Sequence, residues 1–123
     1  MKHTMVLRGP LPSKKNLYRR SARGGMYIPR TVKAALDSLQ LQAQSQWQGR
    51  PPALKPDIRV ALSVCNMRSD PDNKLTALLD VLRRAGVIKD DCANHVGSVS
   101  VSAHQAPRSD YEDRAVIVLE VNE

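Results

Sequence analysis

The sequence predicts a small α+β protein, a single domain over residues 1–123 with a mixed sheet of about four strands and two helices packed on it. Two segments space their apolar residues as an amphipathic helix does, and four shorter segments alternate or are strongly apolar, as strands are. A chain of 123 residues is long enough for one modest core and too short for two.

The N-terminal part reads as a strand followed by a basic segment. The strand is predicted from Thr4 to Arg8, and the breaker Gly9-Pro10-Leu11-Pro12-Ser13 ends it. A basic loop follows as far as Gly24-Gly25, and Met26-Tyr27-Ile28 is interpreted as a second short strand. Between Arg8 and Arg23 the chain has no acidic residue, and its basic residues are Arg8, Lys14, Lys15, Arg19, Arg20 and Arg23.

The first helix is predicted from Thr31 to Trp47, and Gly49-Arg50-Pro51-Pro52 ends it. Its other face carries glutamines, and its apolar face consists of Val32, Ala35, Leu36, Leu39, Ala43 and Trp47. A half-buried strand follows from Ile58 to Cys65, because apolar and small or polar residues alternate there.

The polar loop 66–72 leads into the second predicted helix, from Asn73 to Ala85, with Gly86 as its C-terminal cap. The apolar stripe of this helix is predicted to consist of Leu75, Leu78, Leu79 and Leu82. The segments 96–104 and 115–121 complete the set of strands, and a charged, turn-rich connection joins them.

Composition narrows the class of protein. Hydrophobic residues make up 41% of the chain and aromatic residues 3%, so a folded, aliphatic core is expected. No apolar run approaches the roughly 20 residues that span a bilayer, and no signal-peptide pattern is present, so we expect no membrane partner and a cytoplasmic location. The net charge of +7 favours a polyanionic partner.

The segment Arg68-Ser69-Asp70-Pro71-Asp72-Asn73 contains the strongest chemical signal. In an extended stretch, residues two apart point to the same side, and Asp70 is biased to extended geometry because a proline follows it. Two carboxylates about 6 to 7 Å apart along the chain would repel each other, and a hard divalent cation removes that repulsion.

A purely structural interpretation competes with the metal site. Asp70 can cap the second helix, with Pro71 at its first position and Asp72 in its first turn, where acids are favourable. The acidic pair Asp90-Asp91 can likewise be a solvated turn. If the chain from Gly86 to Asp91 is nearly extended, it reaches back about 20 Å and just brings Asp91 to the helix start. Asp91 can alternatively meet a partner subunit.

The acidic motif resembles that of the RusA family of Holliday-junction resolvases. The matching residues are Asp70-x-Asp72-Asn73, Asp80, Ala85-Gly86 and Asp90-Asp91. The segment Pro10-Leu11-Pro12-Ser13-x-x-Asn16-x-Tyr18-Arg19 is similar to the family's opening segment. The similarity extends over nearly the whole chain.

The resemblance implies a homodimer that cuts four-way DNA junctions with Mg²⁺, or with Mn²⁺. It implies that Asp70, Asp72 and Asp91 are the catalytic, metal-binding carboxylates. The family pattern has a lysine four residues after the second aspartate, whereas this chain has Thr76. Arg68, Lys14 and Lys89 are candidates for the missing cation, and Lys74 is about 200° away around the helix.

The basic segment is predicted to bind DNA phosphates, with Tyr18 available for stacking on a base. The predicted nucleic-acid-binding residues are Lys14, Lys15, Asn16, Tyr18, Arg19, Arg20 and Arg68. Two other functions remain open: a catalytically impaired protein that binds junctions selectively, which the absent lysine would permit, and a small RNA-binding accessory protein, which only the net charge supports.

Overall fold

In the computed structural model, two helices cover one face of a four-stranded mixed sheet. The structure describes residues 2–12, 19–20, 26–27, 30–64, 71–89, 96–105 and 113–121. Its elements are β1 (Lys2–Arg8), β2 (Arg19–Arg20), β3 (Met26–Tyr27), α1 (Arg30–Trp47), β4 (Asp57–Val64), α2 (Pro71–Arg84), β5 (Val99–Gln105) and β6 (Arg114–Glu120). The predicted α+β class with four main strands and two helices is confirmed.

The main sheet has the strand order β1-β6-β4-β5. Both β1 and β4 pair with β6 in antiparallel fashion, and β5 pairs with β4 in parallel. The parallel pair is joined through α2, which is the crossover that parallel neighbours need. Consequently β1, β4 and β5 all point the same way, and their carboxyl ends lie at one end of the sheet.

Alternation along the strands determines which side of the sheet is covered. The sheet's buried side chains, which belong to the same cluster as the helix core residues, are Met5, Leu7, Ile58, Val60, Leu62, Val64, Ala115, Ile117 and Leu119. α1 lies on β1, α2 lies on β5, and the helices contact each other. The opposite face holds small side chains around a shallow groove of about 370 Å³ that includes Ala61, Ser102 and Val116.

The second helix is rotated relative to the leucine stripe that the sequence predicts. Its buried positions have the helical spacing i, i+3, i+4, i+7, i+8, and they are Lys74, Ala77, Leu78, Val81 and Leu82. Leu75 and Leu79 are only partly buried. The prediction is confirmed for Leu78 and Leu82 and was incomplete, because it weighted the leucines alone and left out Ala77 and Val81.

Several elements begin a few residues away from their predicted boundaries. β1 begins at Lys2 because Lys2 and His3 pair with β6. β5 begins at Val99, because Gly97 and Ser98 instead make a turn against Pro56 and Asp57.

α2 begins two residues early, at Pro71, because proline fits the first helical position without needing a donor. Its end agrees with the predicted cap. Gly86 has a φ of 78°, its N–H donates to Arg83 O at 3.1 Å, and the Val87 N–H donates to Leu82 O at 3.0 Å. These two bonds form a Schellman motif.

The segment predicted as a basic loop contains a strand. β2 pairs with β3 in antiparallel fashion, with Arg19 opposite Tyr27 and Arg20 opposite Met26. The Gly24-Gly25 pair that was predicted to end the loop lies between these two strands in the sequence.

Candidate functional site

The end of the sheet at which β1, β4 and β5 terminate carries the predicted functional segments. β1 stops at Arg8, just before the basic segment, and β4 stops at Val64, just before the segment with Asp70. The first turn of α2 reaches the same place, because Lys74 Nζ donates a hydrogen bond of 2.7 Å to Leu11 O. The chain therefore brings the start of the basic segment next to the start of the helix that contains Asp72.

Only part of the predicted site falls within the described residues. Asp72 occupies the second position of α2, and Asp70 directly precedes this helix in the sequence. Arg19 and Arg20 lie in β2. Outside the described residues lie Lys14, Lys15, Asn16, Tyr18, Arg68, Asp70 and Asp91. A helix start at Pro71 is compatible with both interpretations of the acidic pair, the helix cap and the metal site.

Asp91 belongs to a segment whose described neighbours lie at the other end of the sheet. Ile88 forms a parallel bridge with Ala53, and the Gly97 N–H donates to Pro56 O at 2.9 Å. Both of these partners precede β4. Asp91 is three residues from Ile88 and so at most about 10 Å from it.

The 14 residues of α2 rise about 20 Å. The prediction assumed a nearly extended chain from Gly86 to Asp91, whereas Val87 is held by the helix cap and Ile88 by the bridge to Ala53. Asp91 lies outside the described residues, so its place beside Asp72, from the same chain or from a second copy, stays a prediction.

The described residues contain no group of three or more His, Cys, Asp or Glu side chains placed to hold a metal ion. Asp80, which belongs to the motif that carries the resemblance, instead forms ion pairs within α2. Its carboxylate binds Arg83 at 2.5 Å and Arg84 at 3.0 Å. The carboxylates predicted to hold a divalent cation, those of Asp70 and Asp72, carry oxygen donors of the kind that such ions prefer.

Lys74 is the buried charged residue of this site. Only 8% of the residue is exposed, and its ammonium lies against the backbone of Leu11. Burial lowers the pKa of the Lys74 amine, and the nearby Asp113 carboxylate partly opposes this shift by favouring the charged form. The amine is therefore bound inside the protein, and it is not free to serve as the cation missing at position 76.

Lys89, another candidate for that cation, is exposed but follows Ile88 at the opposite end of the sheet. Of the candidates taken from the sequence, Lys14 and Arg68 remain, and both lie outside the described residues. Sequence reasoning missed the role of Lys74, because a lysine in the first turn of a helix is ordinarily solvated and its partner Leu11 lies 63 residues away in the chain.

Two glutamines of α1 also escaped the sequence analysis. Gln42 accepts from Arg8 N and donates to Arg8 O, each at 2.7 Å. Gln46 accepts from Val6 N and donates to Val6 O, each at 2.8 Å. The two side-chain amides thus bind the backbone N–H and C=O groups on the outer edge of β1 as a neighbouring strand would. The sequence predicted a polar outer face for this helix, and glutamine in itself gives no signal of this pairing.

No protein-family model matches this sequence, and no curated protein matches it significantly. Among the described residues, neither helix is long and apolar enough to cross a membrane.

Proposed function

We propose that this protein is a Mg²⁺-dependent endonuclease that resolves four-way DNA junctions in the cytoplasm. The observation that carries the proposal is the Asp70-x-Asp72-Asn73 motif at the start of α2, next to the segment that leads into the basic residues. A hydrolytic site for DNA needs carboxylates for a metal ion and cations for phosphates close together. The resemblance to the RusA family supports the choice of branched DNA as substrate.

The proposed reaction is hydrolysis of a phosphodiester. Water adds to phosphorus, the bond from phosphorus to the 3′ oxygen breaks, and the products carry a 5′-phosphate and a 3′-hydroxyl. Asp70, Asp72 and Asp91 are the proposed metal ligands, and a Mg²⁺ or Mn²⁺ ion held by them would activate the attacking water and neutralise charge. Lys14, Lys15, Arg19 and Arg20 are proposed to bind backbone phosphates, which positions the DNA without reading its sequence.

A two-fold symmetric dimer suits this substrate, because a four-way junction presents two equivalent strands for paired incision. The homodimer is part of the proposal. Val81 of α2 cannot contribute to the dimer contact, because it is 1% exposed and lies in the core of its own chain.

A second candidate function is junction binding without cleavage. The observation that favours it is the absence of a lysine at position 76, together with the engagement of Lys74 by Leu11 O. A protein of this kind binds junctions selectively and yields no Mg²⁺-dependent products.

The test compares the wild-type protein with Asp72→Asn in a gel assay. A synthetic four-way junction, a plain duplex and a single-stranded RNA are each incubated with and without Mg²⁺. We expect junction cleavage only with Mg²⁺, and a loss of roughly 100-fold or more in Asp72→Asn, because the variant removes a charged metal ligand. Asp37→Asn, which changes an exposed aspartate of α1, is the matched control and should cut normally.

Three other outcomes would argue against the proposed endonuclease. Undiminished cutting by Asp72→Asn contradicts the proposed metal site. Selective junction binding with no products supports the second function, and preferential binding of the RNA supports an RNA-binding accessory protein.

A further inference from the structure

The chain that leaves β1 is held at three points by three different elements. Gln42 of α1 binds both backbone groups of Arg8 at 2.7 Å. The Gly9 N–H donates to Asp113 O, next to β6, at 2.9 Å. Lys74 of α2 donates to Leu11 O at 2.7 Å. The last anchored residue, Leu11, stands three positions before Lys14, the first lysine of the basic segment.

The Lys74 contact is an unusual way to hold a backbone. An ammonium loses its hydration on burial, and the Leu11 carbonyl and the nearby Asp113 carboxylate together replace only part of it. An apolar side chain of similar length at position 74 would avoid this desolvation and would continue the stripe of Leu78 and Val81. Leu11 itself is 5% exposed and already belongs to the core. Stability alone therefore does not account for a lysine at this position.

We infer that Lys74 is a positioning residue that holds the segment 9–12 against the first turn of α2 and so determines where the basic segment begins relative to Asp72. This inference rests on the proposed function. It adds that Lys74 connects the basic segment, which is proposed to bind DNA, to the proposed metal site. Asp72 and Lys74 are two residues apart on one helix, so whatever Lys74 holds is held at a fixed distance from the helix start.

Lys74 acts on DNA only through the backbone of Leu11. Its amine is buried and donates to that carbonyl, so it contributes no phosphate contact of its own. Removing the amine should therefore leave the start of the basic segment less firmly fixed, while the core of the domain remains intact. That pattern separates a positioning residue from a residue that supports the fold as a whole.

The experiment compares the wild-type protein with Lys74→Met, which keeps the length of the side chain and removes the donor. Lys2→Met, which removes an exposed lysine from the start of β1, is the control for the loss of one charge. Junction affinity is measured without Mg²⁺ over a series of salt concentrations. Thermal unfolding and amide hydrogen exchange at Gly9 and Leu11 are measured on the same proteins.

We expect Lys74→Met to unfold within about 5 °C of the wild type. Its exchange at Gly9 and Leu11 should be several-fold faster, and its junction affinity roughly 10-fold weaker with a shallower salt dependence, because fewer phosphates are neutralised. Lys2→Met should match the wild type in exchange and in salt dependence. If Lys74→Met has the same junction affinity, salt dependence and hydrogen-exchange rates as the wild type, the inference is overturned.

If Lys74→Met does not fold, acetylation of lysines in the wild-type protein takes its place. Lys74 should stay unmodified with and without the junction, while Lys2 is modified in both; equal reactivity of the two overturns the inference. A wild-type protein that binds no junction contradicts the proposed function instead, and the hydrogen-exchange comparison still decides whether Lys74 holds the segment 9–12.

Discussion

At the scale of single residues, Gly97 is the glycine, among those that the structure describes, where an added side chain has least room. A Cβ atom there would lie 2.5 Å from Asp57 Oδ1 and 3.3 Å from Lys55 O. The same Asp57 oxygen accepts hydrogen bonds from Ser98 N and Ser98 Oγ, each at 2.9 Å. Gly97 thus allows the close approach that starts β5 beside β4.

We expect Gly97→Ala to lower the free energy of unfolding by about 1–3 kcal/mol, since the added methyl group displaces the Asp57 carboxylate from Ser98. Urea unfolding followed by the fluorescence of Trp47, the chain's single tryptophan and a 2% exposed one, measures this. Ser100→Ala, at an exposed position of β5, is the control and should change stability by no more than about 0.5 kcal/mol. Equal stability of Gly97→Ala and the wild type would contradict the close contact.

Lys74 and the acidic pair Asp70 and Asp72 show how far single residues were predictable. The acidic pair stands out in the sequence because two carboxylates with this spacing repel each other whatever the fold of the chain. Lys74 does not, because a lysine in the first turn of a helix is ordinarily solvated. Only its partner, Leu11, which lies 63 residues away in the chain, makes it a buried residue.

At the scale of elements, α1 protects the edge of the sheet. The strand β1 lies at one end of the order β1-β6-β4-β5, so one row of its backbone groups has no partner among the described strands. Gln42 and Gln46, one helical turn apart, pair the groups of Arg8 and Val6. Their spacing of about 6 Å along the helix matches two residues of a strand. An edge closed in this way cannot add a further strand there.

Gln46→Met should lower the free energy of unfolding by about 1–2 kcal/mol and increase self-association at high concentration, because the part-buried Val6 N–H and C=O lose their partners. Denaturant unfolding and light scattering measure the two effects. Gln44→Met changes an exposed glutamine of the same helix and should leave both unchanged. If Gln46→Met behaves like Gln44→Met, the amide contacts do not stabilise the edge.

The types of the helices and main strands were predictable because each depends on a local period. β4 alternates with buried Ile58, Val60 and Leu62, and α1 buries Leu36, Leu39 and Ala43 on one side. The two-residue strand β2 was not predictable, because so short a strand has no period and exists only through its pairing with β3. The rotation of α2 was missed because Ala77 and Val81 contribute to burial although neither is a leucine.

At the scale of the whole molecule, the proposed reaction requires two sites that act together. We expect the protein to be a dimer in solution, with a mass in light scattering of twice that of one chain at micromolar concentration, because paired incision of a symmetric junction calls for a symmetric protein. Measurement with and without a bound junction distinguishes a stable dimer from one assembled on DNA. A monomer under both conditions would contradict paired incision by a dimer.

The sequence by itself determined the α+β class, the approximate extent of both helices and main strands, and the acidic and basic segments that suggest DNA chemistry. Each of these follows from residues close together in the chain, where period, capping and charge are read directly. The tertiary structure decided the strand order, the glutamine-paired edge of β1 and the contact between Lys74 and Leu11. The side-chain contacts join residues 34 to 63 positions apart, and the pairing of β1 with β6 joins residues 106 to 118 positions apart. Local sequence shows which face of an element is buried but not what covers it.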